Sequence, residues 1–170
     1  MILGMSTSAF MLLHVVISLV GIVAGFVVLF GMFRSERLDG WTAIFLVTTI
    51  LTSATGFFFP RDQVLPSHIV GALSLLVLAV AVLAFYGYRL KGAWRWVYVA
   101  SAMVALYFNV FVGVFQAFQK VPFLQSFAPT QSEPPFIVAQ VVVLVAFIGL
   151  GFVALRSFHP AAPAEGLRPI

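Results

Sequence analysis

No cysteine occurs anywhere in the chain, which excludes disulfides, thiolate metal sites, iron–sulfur ligation and cysteine nucleophiles together. Charge is nearly as scarce: 8% of the residues are Asp, Glu, Lys or Arg, against about one quarter in soluble domains. All five acidic residues lie outside the long apolar runs, so a carboxylate-driven proton or cation pump has no carboxylate to work with. The nine Lys and Arg are also outside those runs and occur singly. That removes a voltage sensor and leaves nucleic acid without a basic patch to bind. The nine prolines are segregated in the same way, as they must be where the backbone has to satisfy its own hydrogen bonds. A hydrolase lacks a credible set of nucleophile, base and orienting group.

Apolar surface is abundant instead, at 62% of 170 residues. A soluble fold of this size has too large a surface-to-volume ratio to hide it. Five apolar runs stand out, Ala9–Phe33, Trp41–Phe59, Ile69–Tyr88, Trp96–Phe118 and Phe136–Leu155, within spans of about 9–33, 41–59, 67–88, 94–118 and 134–156. Each is about 19 to 25 residues, which at about 1.5 Å per residue matches a hydrocarbon core of about 30 Å. The expected fold is all-α, a single transmembrane bundle of five helices over 1–158, with a disordered tail over 159–170. The first run follows a segment without Lys or Arg and is far longer than a signal h-region, so it reads as a retained span.

Orientation follows from the cations. Arg34, Arg37, Arg89, Lys91, Arg95, Arg156 and Arg168 fall on one face, and only Arg61 and Lys120 on the other. Seven against two puts the first face in the cytoplasm, with the N-terminus outside and the C-terminus inside. The external connection from Gln119 to Pro135 carries Phe123, Leu124 and Phe127 and reads as a surface-lying loop or a lid. Its end, Ser132-Glu133-Pro134-Pro135, predicts a helix start with Ser132 as the N-cap. Arg61-Asp62 reads as a surface ion pair.

With no charge in the spans, function has to be sought among neutral polar groups and histidine. Counting from span midpoints places Asn109 about 3 Å, Gln140 about 8 Å, His14 about 10 Å, Gln116 about 13 Å and His68 about 15 Å toward the external side. His14, Ser18, Gly21 and Gly25 share one face of the first span, and Thr48, Thr52 and Thr55 one face of the second. Ala102, Ala105, Asn109, Gly113 and Gln116 line a face of the fourth. Small and polar stripes at this spacing turn toward other helices. They predict an outer-half pocket lined by Ser18, Thr52, Thr55, Asn109, Gln116 and Gln140. The plain alternative is packing: Gly21-x-x-x-Gly25 as a close helix contact, and Asn109 bonded to Gln140 across helices.

His14 and His68 are the sharpest feature. They lie on co-directional spans at depths differing by only about 5 Å, and an imidazole in a membrane is by default functional. Two at one level could ligate a haem b iron from opposite sides, or share a metal ion. Arg61 and Lys120 are the external cations that would meet haem propionates.

The stretches Thr55-Gly56-Phe57-Phe58-Phe59-Pro60, Pro66-Ser67-His68-Ile69-Val70-Gly71-Ala72 and Ala128-Pro129-Thr130-Gln131-Ser132-Glu133-Pro134-Pro135-Phe136 resemble those of small bacterial multispanning proteins without an assigned function. The resemblance covers most of the chain and implies a multi-pass protein of the bacterial inner membrane, but supplies no activity and no binding residue. A helix opening with His after such a turn is loosely similar to small membrane cytochromes b, which usually carry more than one histidine pair.

Three readings follow. The first is a redox protein holding one haem b, or a metal, on His14 and His68 and passing electrons between quinol and an external carrier. The second is a non-catalytic accessory or assembly subunit of a larger membrane complex. The third is a small-molecule channel or carrier lined by Asn109, Gln116 and Gln140.

Overall fold

In a computed structural model of the chain, residues 2, 4–59 and 66–160 are described. Arg61 with its Asp62 neighbour, Arg168 and the tail beyond Pro160 lie outside them. The described residues are helical, with no strand beyond a lone bridge between Ile2 and Met5. The helices are α1 (Thr7–Phe33), α2 (Asp39–Gly56), α3 (Pro66–Val82), α4 (Trp94–Lys120), α5 (Pro122–Phe127) and α6 (Pro134–Ser157). A π-helical turn over Leu83–Gly87 extends α3. α5 sits inside the connection that the sequence reads as a loop. A six-residue helix opened by Pro122 is too short to leave an apolar period.

Among the described residues, four helices are long and apolar enough to cross a membrane: Thr7–Phe33, His68–Gly87, Trp94–Lys120 and Pro134–Ser157. α2 is not in that set. It has 18 residues, six of them hydroxyl-bearing. Several of those hydroxyls are turned back on its own backbone. Thr48 Oγ1 donates to Ile44 O at 2.7 Å, Thr52 Oγ1 to Thr48 O at 2.8 Å and Thr55 Oγ1 to Leu51 O at 2.6 Å. Outward faces are apolar, as in Leu12, Leu19, Val23 and Phe30 of α1 and Val138, Val142, Val145 and Ile148 of α6. Such faces suit lipid rather than water.

Helices α1 to α4 form a ring in chain order, each touching the next and α4 closing on α1. α6 lies outside it against α4 and α1. The ring is packed unevenly along its length. The core includes Val28, Leu29 and Met32 of α1, Phe45 and Leu46 of α2, Leu78, Ala81, Ala84 and Phe85 at the end of α3, Tyr98, Val99, Ala102, Met103, Ala105 and Leu106 of α4, and Phe158 after α6. All of these belong to the arginine-bearing end or to mid-bundle. That end is also tied by polar contacts. Thr42 and Tyr98 hydroxyls are 3.3 Å apart, Arg37 lies 4.5 Å over the Phe85 ring, and the His159 N–H donates to Ser35 Oγ at 2.8 Å. Arg95 donates to the carbonyl of Phe158. Among the described residues, the histidine-bearing end has no comparable core, and its helices are mostly half-buried or exposed.

Gly25 explains how α1 comes so close to its neighbours. A Cβ there would lie 2.5 Å from Leu106 Cδ1 and 3.0 Å from the Phe45 ring. The Gly21–Gly25 spacing is therefore a packing device. At the start of α6 the structure departs from the sequence expectation: the N-cap is Glu133, not Ser132, and its side chain does not cap the helix. Prolines at the first two helical positions have no N–H to satisfy, which frees the Glu133 carboxylate to turn back into the loop. There it accepts from Thr130 N at 3.0 Å, Thr130 Oγ1 at 2.9 Å and Ser132 N at 3.1 Å.

Candidate functional site at the histidine end

The C-terminal end of α2 is the hub of this site. His14 of α1 meets it through Thr55, with Nδ1 and Oγ1 2.8 Å apart. The Phe59 ring stands edge-on to the imidazole at 5.2 Å and also meets Phe10 at 5.2 Å. His68 of α3 meets the same segment through Phe57, with the rings stacked at 5.6 Å. Phe57 in turn lies in contact range of Gly71, one turn further along α3. Ser53 and Ser74 bridge α2 and α3 just below, at 3.0 Å.

The hydrogen bond at Thr55 fixes the chemistry of His14. A hydroxyl has one proton to give, and the Thr55 proton goes to Leu51 O at 2.6 Å. Toward His14 the oxygen can then only accept, so Nδ1 carries the imidazole proton. In a neutral ring the lone pair is left on Nε2. Metal-ligating histidines are commonly held in this way, with the other ring nitrogen donating to a fixed acceptor.

The remaining predicted residues are distributed around this hub. Lys120, at the end of α4, reaches across to α1 with Nζ 3.8 Å from Met11 Sδ, one turn from His14. Gln116 is half-buried, and its Oε1 has no hydrogen-bond partner among the described residues. Gln140 of α6 donates through Nε2 to Phe111 O at 3.1 Å. It crosses to α4 as expected but meets a backbone carbonyl rather than Asn109, and its Oε1 has no partner among the described residues. Ser18 Oγ is used locally, donating to Val15 O at 2.8 Å, and Thr52 likewise serves its own helix. Asn109 is buried deeper, against Gly21. Arg61 lies outside the described residues.

No group of three or more His, Cys, Asp or Glu that could hold a metal ion occurs among the described residues. The sequence does not reveal the role of Thr55, Phe57 and Phe59 as the shared support of both histidines. Thr55 lies in the last turn of α2 and the two phenylalanines just beyond it, but which helices they meet is set by packing. Comparison of the chain with protein-family models, with curated proteins and with solved structures finds no match.

Proposed function

We propose that this chain is a small redox protein of a bacterial inner membrane, crossing it five times with its N-terminus outside. It holds one haem b through His14 and His68 and passes electrons between quinol and an external carrier. The observation that carries the reading is the Thr55 contact, which leaves His14 Nε2 as an available donor atom in an otherwise apolar wall. A haem brings four nitrogens of its own and asks the protein only for axial ligands. It therefore suits a pair of imidazoles better than a bare ion would. Lys120, beside Met11, and Arg61, in the α2–α3 connection, are the cations available to its propionates. When bound, haem supplies one-electron transfer; the chain's residues orient the ligands, exclude water and set access.

Five spans require α2 to cross as well. Its back-bonded hydroxyls support that, since they leave few unpaired groups to face lipid. The seven-to-two asymmetry of Lys and Arg supports the orientation. The bacterial setting rests on the resemblance of the three quoted stretches.

The test is the visible spectrum of the purified protein, as isolated and after dithionite. Expected are a Soret band and split α/β bands that sharpen on reduction and are lost in both His14→Ala and His68→Ala. A folded protein without colour after supply of haem sinks the proposal.

One observation favours a second reading, an accessory subunit of a larger membrane complex. α6 packs chiefly against α4 and α1, and of its residues only Phe147 and Ala154 are buried. A colourless, folded protein that migrates with a larger assembly would support it.

A further inference from the structure

The turn between α3 and α4 joins two helices that are each long and apolar enough to cross a membrane, so it emerges at a bilayer surface whichever way the chain is oriented. From Tyr86 to Trp96 it reads Tyr-Gly-Tyr-Arg-Leu-Lys-Gly-Ala-Trp-Arg-Trp, with three cations, four aromatic rings and no acid. The turn between α1 and α2 lies at the same end, tied to it by Arg37 over the Phe85 ring. There Arg34 and Arg37 are offset by Glu36 and Asp39, and Asp39 holds Arg37 at 2.6 Å. One turn is neutral and its neighbour carries three positive charges.

The charged turn is built to a fixed shape. The Tyr88 and Trp94 rings close its base, stacked at 3.7 Å and within 1° of parallel. Leu90 folds inward, buried, with its N–H donating to Ala84 O at 3.1 Å. The Lys91 N–H donates to Tyr88 O at 3.0 Å and the Trp94 N–H to Lys91 O at 3.1 Å. Arg89 and Leu90 take φ values of 50° and 60°, which cost energy in residues other than glycine. That backbone puts Leu90 inside and leaves Arg89 and Lys91, on either side of it, exposed. Arg95 is held against the Trp96 ring at 4.9 Å and donates to Phe158 O. Tyr86, Tyr88 and Trp96 are about half exposed.

We propose that the α3–α4 turn is a binding surface for anionic phospholipid, with Arg89 and Lys91 meeting the headgroup phosphate and Tyr86, Tyr88 and Trp96 seated at the level of the glycerol. Two features of the turn select this partner together. Cations beside a membrane are drawn to anionic lipid, and amphipathic rings settle at the headgroup level. A free anion in water would use the cations and leave the rings idle, whereas a lipid engages both. Arg95, already engaged by Phe158 and Trp96, adds its charge from the first turn of α4. This surface depends neither on the histidine pair nor on which side of the membrane it faces.

The sequence holds three tryptophans, two of them at this turn, so Trp41→Phe makes fluorescence a local reporter. That full chain is reconstituted in phosphatidylcholine vesicles containing either phosphatidylglycerol or further phosphatidylcholine, brominated in each case on the acyl chains just below the glycerol. Bromine quenches a tryptophan it touches, so the ratio of quenching gives the preference between the two lipids. A severalfold preference for phosphatidylglycerol is expected, since each cation near an anionic surface is worth about a factor of five. Arg89→Gln with Lys91→Gln should bring it close to parity, while Arg34→Gln on the neutral turn leaves it unchanged. Should the double variant not fold, salt decides in its place, because screening must erase the preference. Equal quenching by the two lipids before any charge is removed overturns the proposal. So does a preference that survives the double variant or high salt, or one that Arg34→Gln abolishes as well.

Discussion

At Gly25 a single hydrogen atom separates the α1 backbone from an isobutyl group and an aromatic ring. Replacing it by a methyl forces Leu106 and Phe45 to move, because their nearest atoms would lie at 2.5 Å and 3.0 Å. Overpacking of this kind costs about 1–3 kcal/mol. Gly149 on α6 is the control, since nothing lies within 4 Å of its added methyl. There alanine should be neutral or stabilising by about 0.5–1 kcal/mol, through the lower helix propensity of glycine. Thermal unfolding in detergent should show Gly25→Ala melting well below the parent and Gly149→Ala at or above it. The packing role of Gly25 is legible in the sequence because a four-residue glycine spacing recurs on one helical face. The partner of His14 is not. Thr55 stands 41 residues away, and only the rotation of α2 about its own axis decides whether its hydroxyl or its neighbour Gly56 meets the imidazole.

The turn between α5 and α6 is an element with its own pH response. Slight desolvation pushes the Glu133 carboxyl up, but the bonds it accepts from Thr130 and Ser132 outweigh this and hold it below the ordinary carboxylate range. A depressed acid contributes its stability above the unfolded value and loses it as pH falls through the folded one. Lowering the pH should therefore release the Thr130 and Ser132 amides together, with a midpoint below that of a free glutamate. Glu133→Gln should leave those amide signals independent of pH. A midpoint at or above the free value would show that the loop does not hold the carboxylate. The sequence locates this helix start to within one residue. It misplaces the cap because the two prolines alter how many N–H groups need an acceptor, and the backward turn of the carboxylate follows from loop geometry alone.

On the scale of the whole molecule, helix positions were legible and their mutual arrangement was not. Runs of apolar residues bounded by charge locate α1, α3, α4 and α6 closely, because lipid imposes length and composition on each helix separately. The uneven packing, dense around Tyr98 and open around His14, depends on which large side chains coincide in space. Topology is open to a direct measurement, since a chain without cysteine accepts single reporters cleanly. With five spans and the N-terminus outside, Gln125→Cys should react with an impermeant maleimide on intact cells. Glu36→Cys and Lys91→Cys should react only after lysis. Labelling of Glu36→Cys but not Lys91→Cys on intact cells would mean that α2 does not cross.

Phe158, 2% exposed, packs against Tyr98 and takes a hydrogen bond from Arg95, 63 residues earlier in the chain. During synthesis the two halves of this lock reach the bilayer at different times. Until α6 has been inserted, Tyr98 lacks its cover and the dense end stays unsealed. The nascent protein thus waits, as a looser assembly of its earlier helices, for one late aromatic ring to bolt it shut.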